Sequence, residues 1–443
     1  MSGWLIFLLV ICAYAVIVLT LWKLGVLKRH NIDLAGPILM IRTERGKGTI
    51  DRVSAHKKFC SVAGWVSVAI SAGAMVGMLA LLLWQVPLVF EIKPEQAVSP
   101  RAVIPFPGLN PYIPMSALGY CVLALIVAIV VHEFSHAISA RSDGVPIKSI
   151  GLLLCLVPIG AFAEPDPDKA EKMGKGAKHR MYASGPSANL VVALVCALIF
   201  SLAFIGSVEP VGEGGVGVMV VEPNFPAAEA GIKPDAIIRS INNTEIKSYD
   251  DFWNAMAQTK ANQSIELSVW EEGAIRHYNV TLADKYDYTH DENDKGSGFL
   301  GVGPGSTSRA LYEVLAHPLS SLRSFLIYIG LPLQGYSPLH PPITDFYVVH
   351  GPLSYLPQNV FWTLANAFYW IFWINFAVGT FNALPLIPLD GGYMLKEGVD
   401  SLLKRRKHRE QLVAHITAIM SAFVLFLIIW LILGPRLLPL FGW

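Results

Sequence analysis

From residue 117 to about 139 the chain is apolar almost without interruption, yet near the end of that run it carries His132-Glu133-Phe134-Ser135-His136. An apolar stretch of this length crosses a bilayer as a helix. Two histidines four apart share one helical face and can reach one metal ion, with the glutamate between them placed to act on a water. A carboxylate in hydrocarbon costs several kcal/mol unless it is paired or faces a polar cavity. The stretch must therefore be a helix inside a larger assembly, with its polar face turned toward other protein.

The rest of the chain supplies that assembly. Of its 443 residues 53% are hydrophobic and only 15% charged, and the mean hydropathy is +0.48, the composition of a multi-pass membrane protein. Six segments are long and apolar enough to span, at residues 4–22, 61–86, 117–139, 187–207, 360–384 and 412–433. The first has no basic residue before it and no small-residue cleavage signal after it, so it is expected to be a retained helix. Lysine and arginine crowd the connections 23–58, 141–180 and 396–409, whereas the one after the second segment holds only Lys93 and Arg101. These three connections are expected on the cytoplasmic side, with both termini outside and the two histidines toward the cytoplasmic end of their helix. A formal charge of +1 argues against nucleic acid as a partner. Five scattered cysteines form no Cys-x-x-Cys pair and point to neither a disulfide framework nor a thiolate metal site.

After the third segment, residues 150–162 form an apolar run too short to span and broken by Pro158 and Gly160. A re-entrant hairpin lining a cavity is expected, with Gly151, Leu152, Leu153 and Gly160 on an edge able to pair with a substrate strand. Ser184-Gly-Pro-Ser-Ala-Asn189 opens the fourth segment with small residues that allow close helix approach. Asn189 is either glue between helices or a substrate contact. Residues 216–283 then alternate short β-rich runs with turns, and Pro226-Ala-Ala-Glu-Ala-Gly-Ile232 with Asp235 resembles a PDZ domain of the permuted bacterial type, closed by 298–302. Residues 309–351 mix apolar and charged residues and are expected to form an amphipathic external connector. The fifth segment ends in Asn382-Ala-Leu-Pro385-Leu-Ile-Pro388-Leu-Asp390-Gly391-Gly392. Taken alone, Asp390 is equally a helix-capping turn residue. The orientation puts it at the depth of His132 and His136, which favours a third metal ligand and leaves one position open for water.

His-Glu-x-x-His, Gly-Pro-x-x-Asn, an external PDZ domain and Asn-x-x-Pro with Leu-Asp-Gly occur in the order that resembles the site-2 protease family of intramembrane zinc metalloproteases, with Pro158–Asp166 closest to its archaeal members. The resemblance covers roughly residues 117 to 400. It implies zinc (Zn2+) held by His132, His136 and Asp390, Glu133 as catalytic base, and substrate contact at Asn189 and Asn382. It also implies transmembrane-helix substrates, a peptide or protein segment at the PDZ domain, and a place in the cell membrane of an archaeon.

The expected fold is a polytopic α-helical membrane protein of about six transmembrane helices with a re-entrant β-like loop and an inserted extracytoplasmic α+β PDZ domain. Its parts are 1–115, a two-helix membrane region; 116–207, the first part of the catalytic core; 208–305, the PDZ domain; 306–357, the connector; 358–400, the second part of the core; and 401–443, a basic loop and last helix. The competing classes are an inactive membrane scaffold that displays its PDZ domain and a zinc membrane protein without peptidase activity. The first would tolerate loss of Glu133 or Asp390, and both are present. The second would need further ligands on other helices, and none stands out.

Overall fold

The computed structural model describes residues 3–30, 32–44, 46–94, 97–103, 107–155, 157–211, 214–307, 310–334 and 339–441. In chain order its principal helices are α1 (Gly3–Lys23), α2 (Lys57–Gln85), α3 (Leu118–Ser142), α4 (Lys175–Leu198), α5 (Tyr249–Ala257), α6 (Leu322–Gly330), α7 (Gln358–Asn382), α8 (Asp390–Leu402) and α9 (Arg409–Leu437). Five helical runs are long and apolar enough to cross a membrane: Lys57–Phe90, Met115–Ser142, Lys175–Ser207, Gln358–Asn382 and Arg409–Leu437. Five of the six expected spans are thus found at full length among the described residues. The first apolar segment is helical over Gly3–Lys23. The chain divides into two compact units, residues 1–197 with 369–443, and residues 198–368.

In the first unit α3 packs against a four-stranded antiparallel sheet of β1 (Ile32–Ala35), β2 (Ile38–Thr43), β3 (Ile147–Cys155) and β4 (Val157–Pro165), in that order. The expected hairpin is therefore present as β3–β4. It is not free-standing, because β1 and β2 come from the basic connection between the first two helices. This corrects the expected edge. Leu153 is paired with Met40 on one side and Gly160 on the other, and Gly151 and Leu152 are likewise enclosed. Of the two hairpin strands β4 is the one at an edge of the sheet, β1 being the other edge strand. Gly151 owes its identity to this packing, since a Cβ there would lie 2.6 Å from the Ile41 carbonyl and inside the Phe162 ring. A polar ladder crosses all four strands: Arg42 Nε donates to Asp33 at 2.8 Å, Arg42 Nη1 to Ser149 Oγ and to Glu164 at 2.7 Å, and Ser149 Oγ to Glu164 at 2.7 Å. A one-residue slip of β4 would turn Glu164 to the other face and break the ladder.

Helix α4 begins at Lys175, well before the expected 187, and holds Pro186 in its interior. Its charged first turns stay helical because they have partners. Lys175 Nζ pairs with Asp400, and Arg180 Nη2 lies 2.6 Å from Asp143 Oδ1 and packs over the Trp65 ring. Helix α7 crosses α4 closely at Gly379, where a Cβ would come within 2.9 Å of the Pro186 carbonyl and the Leu190 side chain.

The second unit holds β5 (Val208–Pro210), β6 (Val216–Val221), β7 (Ile237–Ile241), β8 (Ser264–Glu271), β9 (Ala274–Thr281), β10 (Val302–Ser306) and β11 (Tyr347–Val349). The main sheet runs β9-β8-β7-β6-β10. Alternate residues of these strands, among them Val218, Ile238, Leu267 and Val269, bury a core with Phe252 of α5. The closing strand is Val302–Ser306, four residues beyond the expected start, while Gly298–Phe299 pairs with Ala283–Asp284. A cleft of about 240 Å³ opens between α5 and the 297–302 segment, lined by Phe252, Trp253, Met256, Leu300 and Val302. The connector folds as helices Ala310–Ala316 and Leu322–Gly330, both too short to span.

Candidate metal centre

His132 and His136 stand on one face of α3, as their four-residue spacing requires, with rings edge to face at 4.7 Å between centroids. Asp390 is the first residue of α8. The turn that delivers it is closed by Gly391 and Gly392, where a Cβ would strike the Ala383 carbonyl and lie 2.6 Å from the Ile387 nitrogen respectively. Asp390 Oδ2 lies 3.0 Å from His132 Nε2 and 3.2 Å from His136 Nε2, and the two Nε2 atoms are 3.2 Å apart.

The outer nitrogens of both rings decide what the inner ones can do. His132 Nδ1 is 2.7 Å from Asn189 Oδ1, and His136 Nδ1 is 2.6 Å from the Met181 carbonyl. Both partners are acceptors, so each Nδ1 carries the proton and each Nε2 presents a lone pair. Two lone pairs and a carboxylate oxygen thus face one another at about 3 Å, an arrangement that a cation between them resolves. Donor atoms around a tetrahedral zinc ion lie about 3.3 Å apart for bonds of about 2.0–2.1 Å. The three residues form the one group of histidine, cysteine or carboxylate ligands able to hold a metal ion among the described residues.

Small residues keep the space open. A Cβ on Gly185 of α4 would fall 2.8 Å from His132 Nε2 and closer still to His136 Nε2, so a side chain there would fill the ion's place. The glycine of Gly-Pro-x-x-Asn is therefore a floor under the metal position, a sharper role than close helix approach. Glu133, one residue on from His132, accepts through its Oε2 from the Ala163 backbone N–H of β4 at 3.2 Å. Asn189 is fully buried and donates to the Ala128 carbonyl and to Asn375 Oδ1, both at 2.9 Å. These bonds make Asn189 a tie between helices, one of the two roles expected for it. Asn382 is half-buried at the end of α7 and donates to its own Val378 carbonyl at 3.1 Å. Gly151, Leu152 and Leu153 lie on the enclosed strand β3, and Gly160 lies on the edge strand.

The model of peptidase family M50 matches residues 120–427, from the start of α3 to the last helix. The chain belongs to peptidase family M50. Among similar proteins, an uncharacterized protein of Methanocaldococcus jannaschii is 25% identical over 435 residues, covering 95% of this chain and 96% of the relative. Metalloprotease MmpA of Caulobacter vibrioides is 23% identical over 353 residues, covering 63% and 85%. The regulator of sigma-W protease RasP of Bacillus subtilis is 25% identical over 250 residues, covering 56% of each. Among solved structures, the PDZ domain of the SdrC-like protein of Listeria innocua covers 20% of this chain and 92% of its own, at 19% identity and a TM-score of 0.18. This M50 chain is a multi-pass membrane zinc metalloprotease of the site-2 type, and its His-His-Asp cluster is where zinc fits.

The motifs did not disclose Met181, Asn375 or Ala163. The first and last act through backbone atoms, which carry no residue signature. Asn375 is one amide in an apolar helix, and such a residue reads as ordinary helix-to-helix bonding.

Proposed function

We propose that this chain hydrolyses peptide bonds of transmembrane-helix substrates near the cytoplasmic face of the membrane, with His132, His136 and Asp390 as zinc ligands and Glu133 as base. The observation that carries the reading is the convergence, at 3.0–3.2 Å, of two imidazole lone pairs from a helix apolar enough to span and the Asp390 carboxylate from α8. Zinc held by these three residues would polarise the scissile carbonyl and acidify a water. Glu133 takes a proton from that water as its oxygen attacks the carbonyl carbon, and returns it to the amine as the C–N bond breaks. Ala163 N–H aims the carboxylate meanwhile.

A membrane helix keeps its carbonyls in internal bonds, so the substrate must unwind locally before attack. The open edge of β4 is the element suited to pair with the unwound strand, and it lies against Glu133. The basic loops favour a cytoplasmic site, an external PDZ-like domain and external termini. The cleft between α5 and residues 297–302 suits an extended peptide with apolar side chains.

Glu133→Gln tests the mechanism. It removes the base and leaves the three ligands, so zinc content stays at the parent level while cleavage of a reconstituted transmembrane substrate falls about 10²–10⁴-fold. Parent-like turnover by this variant would remove Glu133 from the reaction.

A further inference from the structure

Asn375 lies within α7, fully buried. Its side chain begins a directed series of hydrogen bonds that ends on His132. The Ile371 carbonyl, one turn earlier, can only accept, so it dictates which end of the Asn375 amide it meets, and Nδ2 donates to it at 2.8 Å. Oδ1 of Asn375 therefore faces α4, where it accepts from Asn189 Nδ2 at 2.9 Å. The other hydrogen of that Nδ2 goes to the Ala128 carbonyl at 2.9 Å. With both hydrogens committed to acceptors, Asn189 can present only its oxygen to His132 Nδ1, which it meets at 2.7 Å.

We infer that Asn375, acting through Asn189, is a positioning residue that holds His132 in its metal-binding tautomer and aim. A reversed Asn189 amide would offer N–H to Nδ1, move the imidazole proton to Nε2 and turn the ligand atom into a donor. The reversal would also set the Asn189 oxygen against both Asn375 Oδ1 and the Ala128 carbonyl. Burial makes that mismatch costly, because water cannot reach the orphaned groups. Three helices, α7, α4 and α3, thereby act on one ring nitrogen. His136 needs no such series, since its Nδ1 meets the Met181 carbonyl directly. Partners that orient a metal-ligating histidine commonly change metal affinity about 10–100-fold when lost.

The inference rests on His132 being a zinc ligand, and the experiment separates the two. Zinc affinity is measured by chelator competition on the purified full chain, alongside melting of the metal-free protein. His132→Ala checks the ligand reading: if it binds zinc like the parent, that reading fails. Given that it does not, Asn375→Leu is expected to weaken zinc about 10–100-fold. The control Asn366→Leu removes a buried amide of the same helix that bonds, among the described residues, the Leu339 and Trp362 carbonyls, and should leave zinc affinity unchanged. Because Asn375 acts through Asn189, the pair Asn189→Leu with Asn375→Leu should bind no more weakly than Asn189→Leu alone. An Asn375→Leu affinity within twofold of the parent, a loss matched by Asn366→Leu, or additive losses in the pair would each overturn the inference. Should Asn375→Leu not fold, Asn375→Ser is judged by the same criteria.

Discussion

Ala163 donates its backbone N–H to Glu133 Oε2 at 3.2 Å, tying an edge strand to the carboxylate between the two histidines. That N–H points away from β3, so the sheet does not use it. Ala163→Pro therefore removes this one donor and is tolerated as an edge position tolerates proline. The expected result is about a tenfold loss of kcat, at the modest end of base-positioning effects, with zinc content unchanged. Unaltered kcat in a folded, zinc-loaded variant would show that the strand does not aim the base.

Gly185→Ala places a methyl where the ion should sit, 2.8 Å from His132 Nε2. Zinc affinity should fall about 100-fold or more, and cleavage with it, while the helices survive because alanine is the better helix former. Metal analysis of the purified variant decides the matter, since full occupancy would move the ion elsewhere.

The charge distribution of the connections yields a labelling pattern. Cysteines introduced near Gly273 should react with an impermeant thiol reagent added outside the cell, and cysteines near Lys404 should not. The opposite pattern would invert the chain and place the metal centre at the outer face.

Helix α8 starts with Asp390 and ends beside Asp400, whose carboxylate is held by Arg409 of α9 and by Lys175 of α4. The Arg409 hydrogen bonds, aided by Lys175, keep the Asp400 carboxyl low, at about 2. A depressed carboxyl contributes stability that is complete above its unfolded value of about 3.9 and fades as pH falls through the folded one. Arg409→Gln should therefore lower the melting temperature equally at pH 5 and pH 8, with the gap closing only below about pH 4. A gap that changes between pH 5 and 8 would mean that another titrating group governs this corner.

The chemistry was easier to read than the scaffold that aims it. His132 and His136 stood out because ionisable residues in an apolar helix are conspicuous. Asp390, ambiguous alone, was singled out by its depth, and the three ligand atoms do lie within reach of one ion. Strands β1 and β2 did not stand out, because Ile32–Ala35 and Ile38–Thr43 are short and the strand that ties them to the sheet, β3 beside β2, lies more than a hundred residues on. The start of α4 was hidden for the opposite reason. Its Lys-Gly-Ala-Lys-His-Arg turns look like solvated surface until Asp400 and Asp143 supply partners. Leu153 seemed an edge residue because a hairpin seen alone has two edges, and β2 covers one of them.

The ladder from Asp33 through Arg42 and Ser149 to Glu164 changes what counts as a self-sufficient piece of this protein. The family match begins at residue 120, yet Asp33 and Arg42 lie far upstream of it and hold the strand that touches Glu133. A fragment cut at the edge of recognisable similarity would keep its metal ligands and lose half its sheet. Its β3 would become a second bare edge, open to the same strand of a neighbouring copy. The smallest inheritable unit of this protease is thus longer than its signature, and activity lost on trimming the amino-terminal segment would report misaimed backbone, with the metal still in place.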